Sequence, residues 1–131
     1  MGLINLFKAQ FKKPAFETVD AICNAYLNSY ARTRDSKQSF VAMAHETFKQ
    51  LRENGQKNFS SVEDTYRMIG GTEFLKLGKN HSENKGHLFN YVVNMMVYIR
   101  PDLYSYRAGD GLYVLFERLK LKVENSLNIP D

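Results

Sequence analysis

Three histidines, one cysteine and scattered carboxylates are the residues of this chain whose chemistry could reach beyond folding. His45-Glu46 opens as a zincin helix opens, with a metal-binding histidine followed by a general base. The second histidine of that pattern belongs four residues on, where this chain has Lys49. His81, Glu83 and His87 offer three metal-binding groups in a short stretch, but their spacing matches no common site. Lys79 and Lys85 beside them would repel a cation, and no cysteine is close in sequence. The expectation is therefore no metal and no cofactor, with His81 and His87 as solvated loop residues.

Covalent chemistry fares no better. There is no Gly-x-Ser-x-Gly elbow, no Ser-x-x-Lys with its partner motifs and no phosphate-cradling Walker loop. Cys23 falls within an apolar helical stripe, where burial raises a thiol's pKa and makes it inert. Gly109-Asp110-Gly111 lacks the third glycine and the βαβ setting of a dinucleotide fingerprint, so it reads as a turn. Glu63, Asp64 and Glu73 suit helix N-termini. An enzyme whose site assembles from distant residues is left as a third reading.

Two sets of residues point to binding. Tyr104, Tyr106 and Arg107 lie on a short segment that no helical stripe obviously buries, with Tyr98 and Arg100 just before it. Tyrosine and arginine are enriched at protein interfaces, so these five form the candidate partner-binding surface. The plainer reading is that the tyrosines cover the core edge with their hydroxyls in water. The second set is basic: Arg32, Arg34 and Lys37, with Lys79 and Lys85 on a later loop. These suit a weak, salt-sensitive contact with nucleic acid. A helix-turn-helix is not indicated, because residues 73–77 give barely one turn after Gly70-Gly71 with only Lys76 basic.

The elements that must position these residues follow from periodicity. At 131 residues the chain fits one domain, with 44% hydrophobic and 24% charged residues as in ordinary globular proteins. Residues 1–60 carry nine Lys/Arg against five Asp/Glu, and residues 61–131 carry nine of each, so the whole excess of +4 lies in the first half. Residues 1–13 form a short basic amphipathic segment with Leu3, Phe7 and Phe11 at spacing four. That segment suits docking on a partner or, more simply, folding back on its own domain. Pro14 suits the first turn of a new helix, whose apolar stripe is Phe16, Val19, Ile22, Cys23, Tyr26, Leu27 and Tyr30.

Asp35 and Gln38 resemble a capping pair for a second helix with Phe40, Val41, Ala44, Phe48 and Leu51 on one face, stopped by Gly55. Ser60 and Glu63 form a capping box for a third helix carrying Val62, Tyr66 and Ile69, and Thr72 caps a further turn with Phe74, Leu75 and Leu77. Gly78 to Gly86 is polar and aperiodic, so it reads as a surface loop. Leu88 to Ile99 is apolar nearly all round, which marks a central buried helix. Arg100-Pro101 ends it, Asp102 caps a short turn, and Asp110 caps a last helix with Leu112, Leu115, Phe116, Leu119, Val123 and Leu127 on one face.

The expected fold is an all-α bundle of five or six helices. The apolar run Tyr91–Ile99 is far shorter than the roughly 20 residues of a membrane span. The leading Leu3–Phe7 stretch is too short for a secretion signal, and Leu6 stands where a myristoylation site wants Ser or Thr. With a single cysteine, these features suit the cytoplasm. The function expected first is a non-catalytic protein-binding module of adaptor, inhibitor or immunity type, acting by surface occlusion or tethering. A nucleic-acid-binding regulator comes second.

Overall fold

A computed structural model describes the backbone of residues 2–53, 55, 60–65, 67, 76–105 and 107–131, and the side chains of the same residues except 2–14, 104 and 105. Among the described residues, five α-helices and one 3-10 helix follow one another: α1 (Gly2–Thr33), α2 (Ser36–Glu53), α3 (Val62–Thr65), α4 (His81–Ile99), the 3-10 helix (Pro101–Ser105) and α5 (Gly111–Ser126). Among the described residues there is no strand, and no helix is long and apolar enough to cross a membrane.

α1 is a single helix of 32 residues, about 48 Å at 1.5 Å per residue. The break expected at Pro14 is not there. Proline removes one backbone donor and crowds the carbonyl four residues back, a local cost that a long helix can absorb without ending. The predicted stripe holds: Val19, Ile22, Cys23, Tyr26 and Tyr30 are buried, with Phe16 and Leu27 at its half-buried edges.

α2 packs antiparallel on α1 through the most extensive contact in the bundle. It is capped as expected, the Gln38 N–H donating to Asp35 Oδ1 at 3.1 Å, and Gly55 follows it with φ +81° in the left-handed region. Its buried stripe is Ser36, Ser39, Phe40, Met43, Ala44, Thr47 and Leu51. Val41, expected on that face, is 40% exposed because it lies one residue, about 100°, round from Phe40. Asp64 N–H donates to Ser61 Oγ at 3.2 Å, so Ser61 rather than Ser60 caps α3. Tyr66, Ile69, Thr72, Phe74 and Leu75 lie outside the described residues.

α4 is the central helix, touching α1, α2, α5 and the 3-10 helix. Leu88, Val92 and Met95 are wholly enclosed, each contributing roughly 1.5–3 kcal/mol by burial. Asn90 and Asn94 face solvent together. The helix begins at His81, inside the segment expected to be a loop. His81 and Asn84 continue the stripe of Leu88, Tyr91 and Met95 inward with polar side chains, which an apolar period does not register. α5 is capped by Asp110, which accepts from the Tyr113 N–H at 2.7 Å and the Arg107 N–H at 2.9 Å. It buries Leu115, Phe116, Leu119 and Val123.

Because α1 is continuous, Pro14→Ala restores a backbone donor inside the helix. It is expected to raise stability in urea unfolding by about 1–3 kcal/mol. A helix that began at Pro14 would gain nothing, since its first turn has no such bond to restore.

Candidate functional site

The densest polar chemistry is wholly inside. Tyr26 Oη lies 2.5 Å from Ser36 Oγ and 2.7 Å from His81 Nδ1, and His81 Nε2 lies 2.6 Å from the Leu127 carbonyl oxygen. Asn84 Nδ2 donates to Ser36 Oγ at 2.7 Å and to the Gly78 carbonyl at 2.9 Å, while Gly78 N–H donates back to Asn84 Oδ1 at 3.0 Å. The Tyr30 hydroxyl accepts from the His81 backbone N–H at 3.3 Å.

Proton bookkeeping gives this chain one direction. The Leu127 carbonyl only accepts, so His81 Nε2 carries a hydrogen, and in the neutral imidazole Nδ1 then accepts from Tyr26 Oη. Tyr26 Oη must in turn accept from the Ser36 hydroxyl, whose oxygen accepts from Asn84. The Asn84 amide is oriented by Gly78, which needs an acceptor for its N–H and a donor for its carbonyl. Burial pushes the Tyr26 phenol up to about 12, outweighing the Ser36 hydrogen bond, so it acts as a neutral hydroxyl. Tyr26, Ser36 and His81 are 0% exposed and Asn84 is 1% exposed. A chain of enclosed side chains with a backbone carbonyl at its end joins helices.

The segment after α5 is strapped to the start of α4. Asp131 accepts from the Ser82 N–H at 2.7 Å and the Ser82 hydroxyl at 2.5 Å, and Lys85 Nζ donates to Asn128 Oδ1 at 3.3 Å. The Ser82 bonds hold the Asp131 carboxyl below its ordinary value.

Outside, α5 is a ridge with an open groove on either side. The α4/α5 groove, about 520 Å³, is lined by Lys85, Gly86, Phe89, Leu121, Glu124 and Asn128, among others. The α1/α5 groove, about 570 Å³, is lined by Phe16, Arg118, Leu121 and Lys122, among others. Leu121 borders both and is 57% exposed, with Val114 two turns earlier at 50%. Arg118 and Glu124 make no ion pair with any described residue.

The residues singled out in sequence are distributed as follows. Arg100 is buried and holds Asp102 in a two-pronged pair, Nε to Oδ1 at 2.9 Å and an outer guanidinium nitrogen to Oδ2 at 2.5 Å. Its charge is therefore spent inside the fold. Tyr98 is half-buried and Arg107 is exposed, while the side chains of Tyr104 and Tyr106 lie outside the described residues. The basic set divides. Arg32, Arg34, Lys37 and Lys79 gather at one corner, because the Ser36 N–H donates to the Lys79 carbonyl at 2.8 Å. Lys85 turns instead toward Asn128 and lines the α4/α5 groove.

His81 is enclosed rather than solvated, with both ring nitrogens engaged, and His45 is exposed on α2. No group of three metal-binding side chains forms among the described residues. Sequence reasoning missed two features. One is the buried network, signalled by His81 and Asn84 keeping the spacing of the α4 stripe. The other is the α5 ridge, signalled by Val114 and Leu121 seven apart and off the core face. Comparison of the chain with protein-family models, curated proteins and solved structures gives no match.

Tyr26→Phe leaves His81 Nδ1 without its donor and the Ser36 hydroxyl without its acceptor. Its expected cost is about 2–4 kcal/mol in urea unfolding, and a loss under about 0.5 kcal/mol would show that the chain does not join the helices. Burial, followed by Asp20, pushes the Cys23 thiol up to about 12. Labelling of the folded chain with a thiol-reactive disulfide at neutral pH should run at least about a hundredfold slower than in urea.

Proposed function

We propose that this chain is a non-catalytic protein-binding module that takes an amphipathic helix of a partner protein in the α4/α5 groove. The observation that carries the reading is Gly86. It is an exposed glycine in the interior of α4, where glycine costs about 0.5–1 kcal/mol against alanine. Nothing lies within 4 Å of where its Cβ would be, so no internal contact requires it. What a glycine does provide there is bare helix backbone on the groove lining, open to close approach by another helix.

The groove suits such an occupant. Phe89 and Leu127 give it apolar surface, Leu121 forms an apolar rim, and Lys85 and Glu124 offer charges of opposite sign. A helix laid in a groove anchors apolar residues at steps of three and four against a floor of this kind and pairs its polar edge with the rims. The module works by tethering or by occluding what the bound helix would otherwise contact. We place it in the cytoplasm, where its single cysteine stays reduced.

The test is capture from native cell extract with four forms of the chain: wild type, Leu121→Asp, Gly86→Ala and Val41→Asp. A partner is expected in stoichiometric amount with wild type and Val41→Asp, which alters the distant α2 surface, and absent with Leu121→Asp. Gly86→Ala should stabilise the isolated chain by about 0.4–1 kcal/mol while weakening the complex several-fold. Equal capture by wild type and Leu121→Asp would overturn the proposal.

A further inference from the structure

The backbone of Arg34 stands out in the corner between α1 and α2. It holds φ 53°, in the left-handed region, whereas the other two such positions among the described residues, Gly55 and Gly109, are glycines. A side chain in that conformation costs about 1–2 kcal/mol that glycine avoids. Part of the cost is offset. The guanidinium carbon lies 5.6 Å from the centre of the Tyr30 ring, and a cation is favourable at a helix C-terminus. A glycine would still close this turn without strain, as it does after α2 and before α5.

The surroundings of Arg34 indicate what an arginine does there that glycine would not. Arg32, Lys37 and Lys79 are exposed beside it, gathered by the Ser36 to Lys79 backbone bond. None of the four cations forms an ion pair with a described residue. The carboxylates at this corner are Asp35, which caps α2, Glu83, which accepts from Asn80, and Asp131, which accepts from Ser82. Four cations against three carboxylates, each of the three engaged in hydrogen bonds, leave an excess of one positive charge. The nearby aromatic rings among the described residues, Tyr26 and Tyr30, are buried, so neither offers a face for a base to stack on. Cations without an open ring suit phosphates rather than bases.

We infer that this corner binds the phosphate backbone of double-stranded nucleic acid without regard to sequence, with Arg34 gripping a phosphate through its forked guanidinium. The inference is independent of the α4/α5 groove. Leu121→Asp should leave duplex binding unchanged, and Arg34→Gly should leave partner capture unchanged.

The test is fluorescence anisotropy with labelled DNA and RNA duplexes of about 20 base pairs, read from about 50 to 200 mM salt. Four phosphate contacts predict about a 150-fold loss of affinity over that range. Arg34→Gly should reduce the loss to about 40-fold and weaken binding at low salt, with a melting temperature equal to or above wild type. Lys37→Gln and Lys79→Gln should act in the same direction, and Lys120→Gln on α5 should not. Three results would each overturn the inference. One is a flat salt response. Another is unchanged duplex affinity in Arg34→Gly together with a lower melting temperature, which would make Arg34 a purely structural residue. The last is binding to phosphatidylserine–phosphatidylcholine vesicles without binding to either duplex.

Discussion

The hydrogen-bonded chain from Asn84 through Ser36, Tyr26 and His81 to the Leu127 carbonyl is the constraint on which the arrangement of the long helices rests. It touches α1, the first residue of α2, two residues of α4 and the residue that ends α5. Apolar stripes alone set the register between these helices weakly, because a helix slipped by one turn still meets apolar neighbours. The polar chain does not tolerate that slip. Moving α4 by one turn, about 5.4 Å, would orphan several enclosed donors and acceptors at about 1–3 kcal/mol each. The network is therefore better regarded as a device for register than as a source of net stability, since its members gave up good hydrogen bonds to water to form it.

That distinction explains which parts of the fold were legible in the sequence. Stripes, caps and stops are local, and they were read correctly in the capping of α2 by Asp35, the glycine after it, the core face of α1 and the Asp110 cap of α5. The start of α4 was not, because His81 and Asn84 are buried on account of partners from α1, α2 and the chain end, none of them near in sequence. Pro14 illustrates the opposite failure. Its local preference for a helix start is real, yet the continuous helix outweighs it. Val41 shows the limit of assigning a face by spacing alone, since one residue of drift is enough to bring a side chain into water.

The binding surfaces were legible to different degrees for the same reason. Arg100 adjoins the tyrosines in sequence, but it is enclosed with its charge committed to Asp102. In the sequence Lys79 shares only its charge with Arg34, and a single backbone bond from Ser36 to Lys79 is what makes them neighbours. The α5 ridge could have been found, since Val114 and Leu121 break the polar face at a spacing of two turns. It carries weight only once Gly86 and Phe89 are seen across the groove.

Gly86 and Arg34 stand out for a related reason. Each violates the preference of its own position, glycine inside a helix and a side chain in the left-handed region. Most other positions obey such preferences, with glycine at the other two left-handed turns and aspartate at the caps of α2 and α5, and Pro14 inside α1 is a further exception. Gly86 and Arg34 are both on the surface, Gly86 with nothing beside it and Arg34 with a contact to the Tyr30 ring that offsets only part of its cost, and each lies on a surface for which binding is proposed. Folding alone would favour alanine at Gly86 and glycine at Arg34. Residues that work against the stability of their own element are expected where function rather than folding sets the choice. On the two proposals, the groove and the corner are separate places where stability is given up for binding.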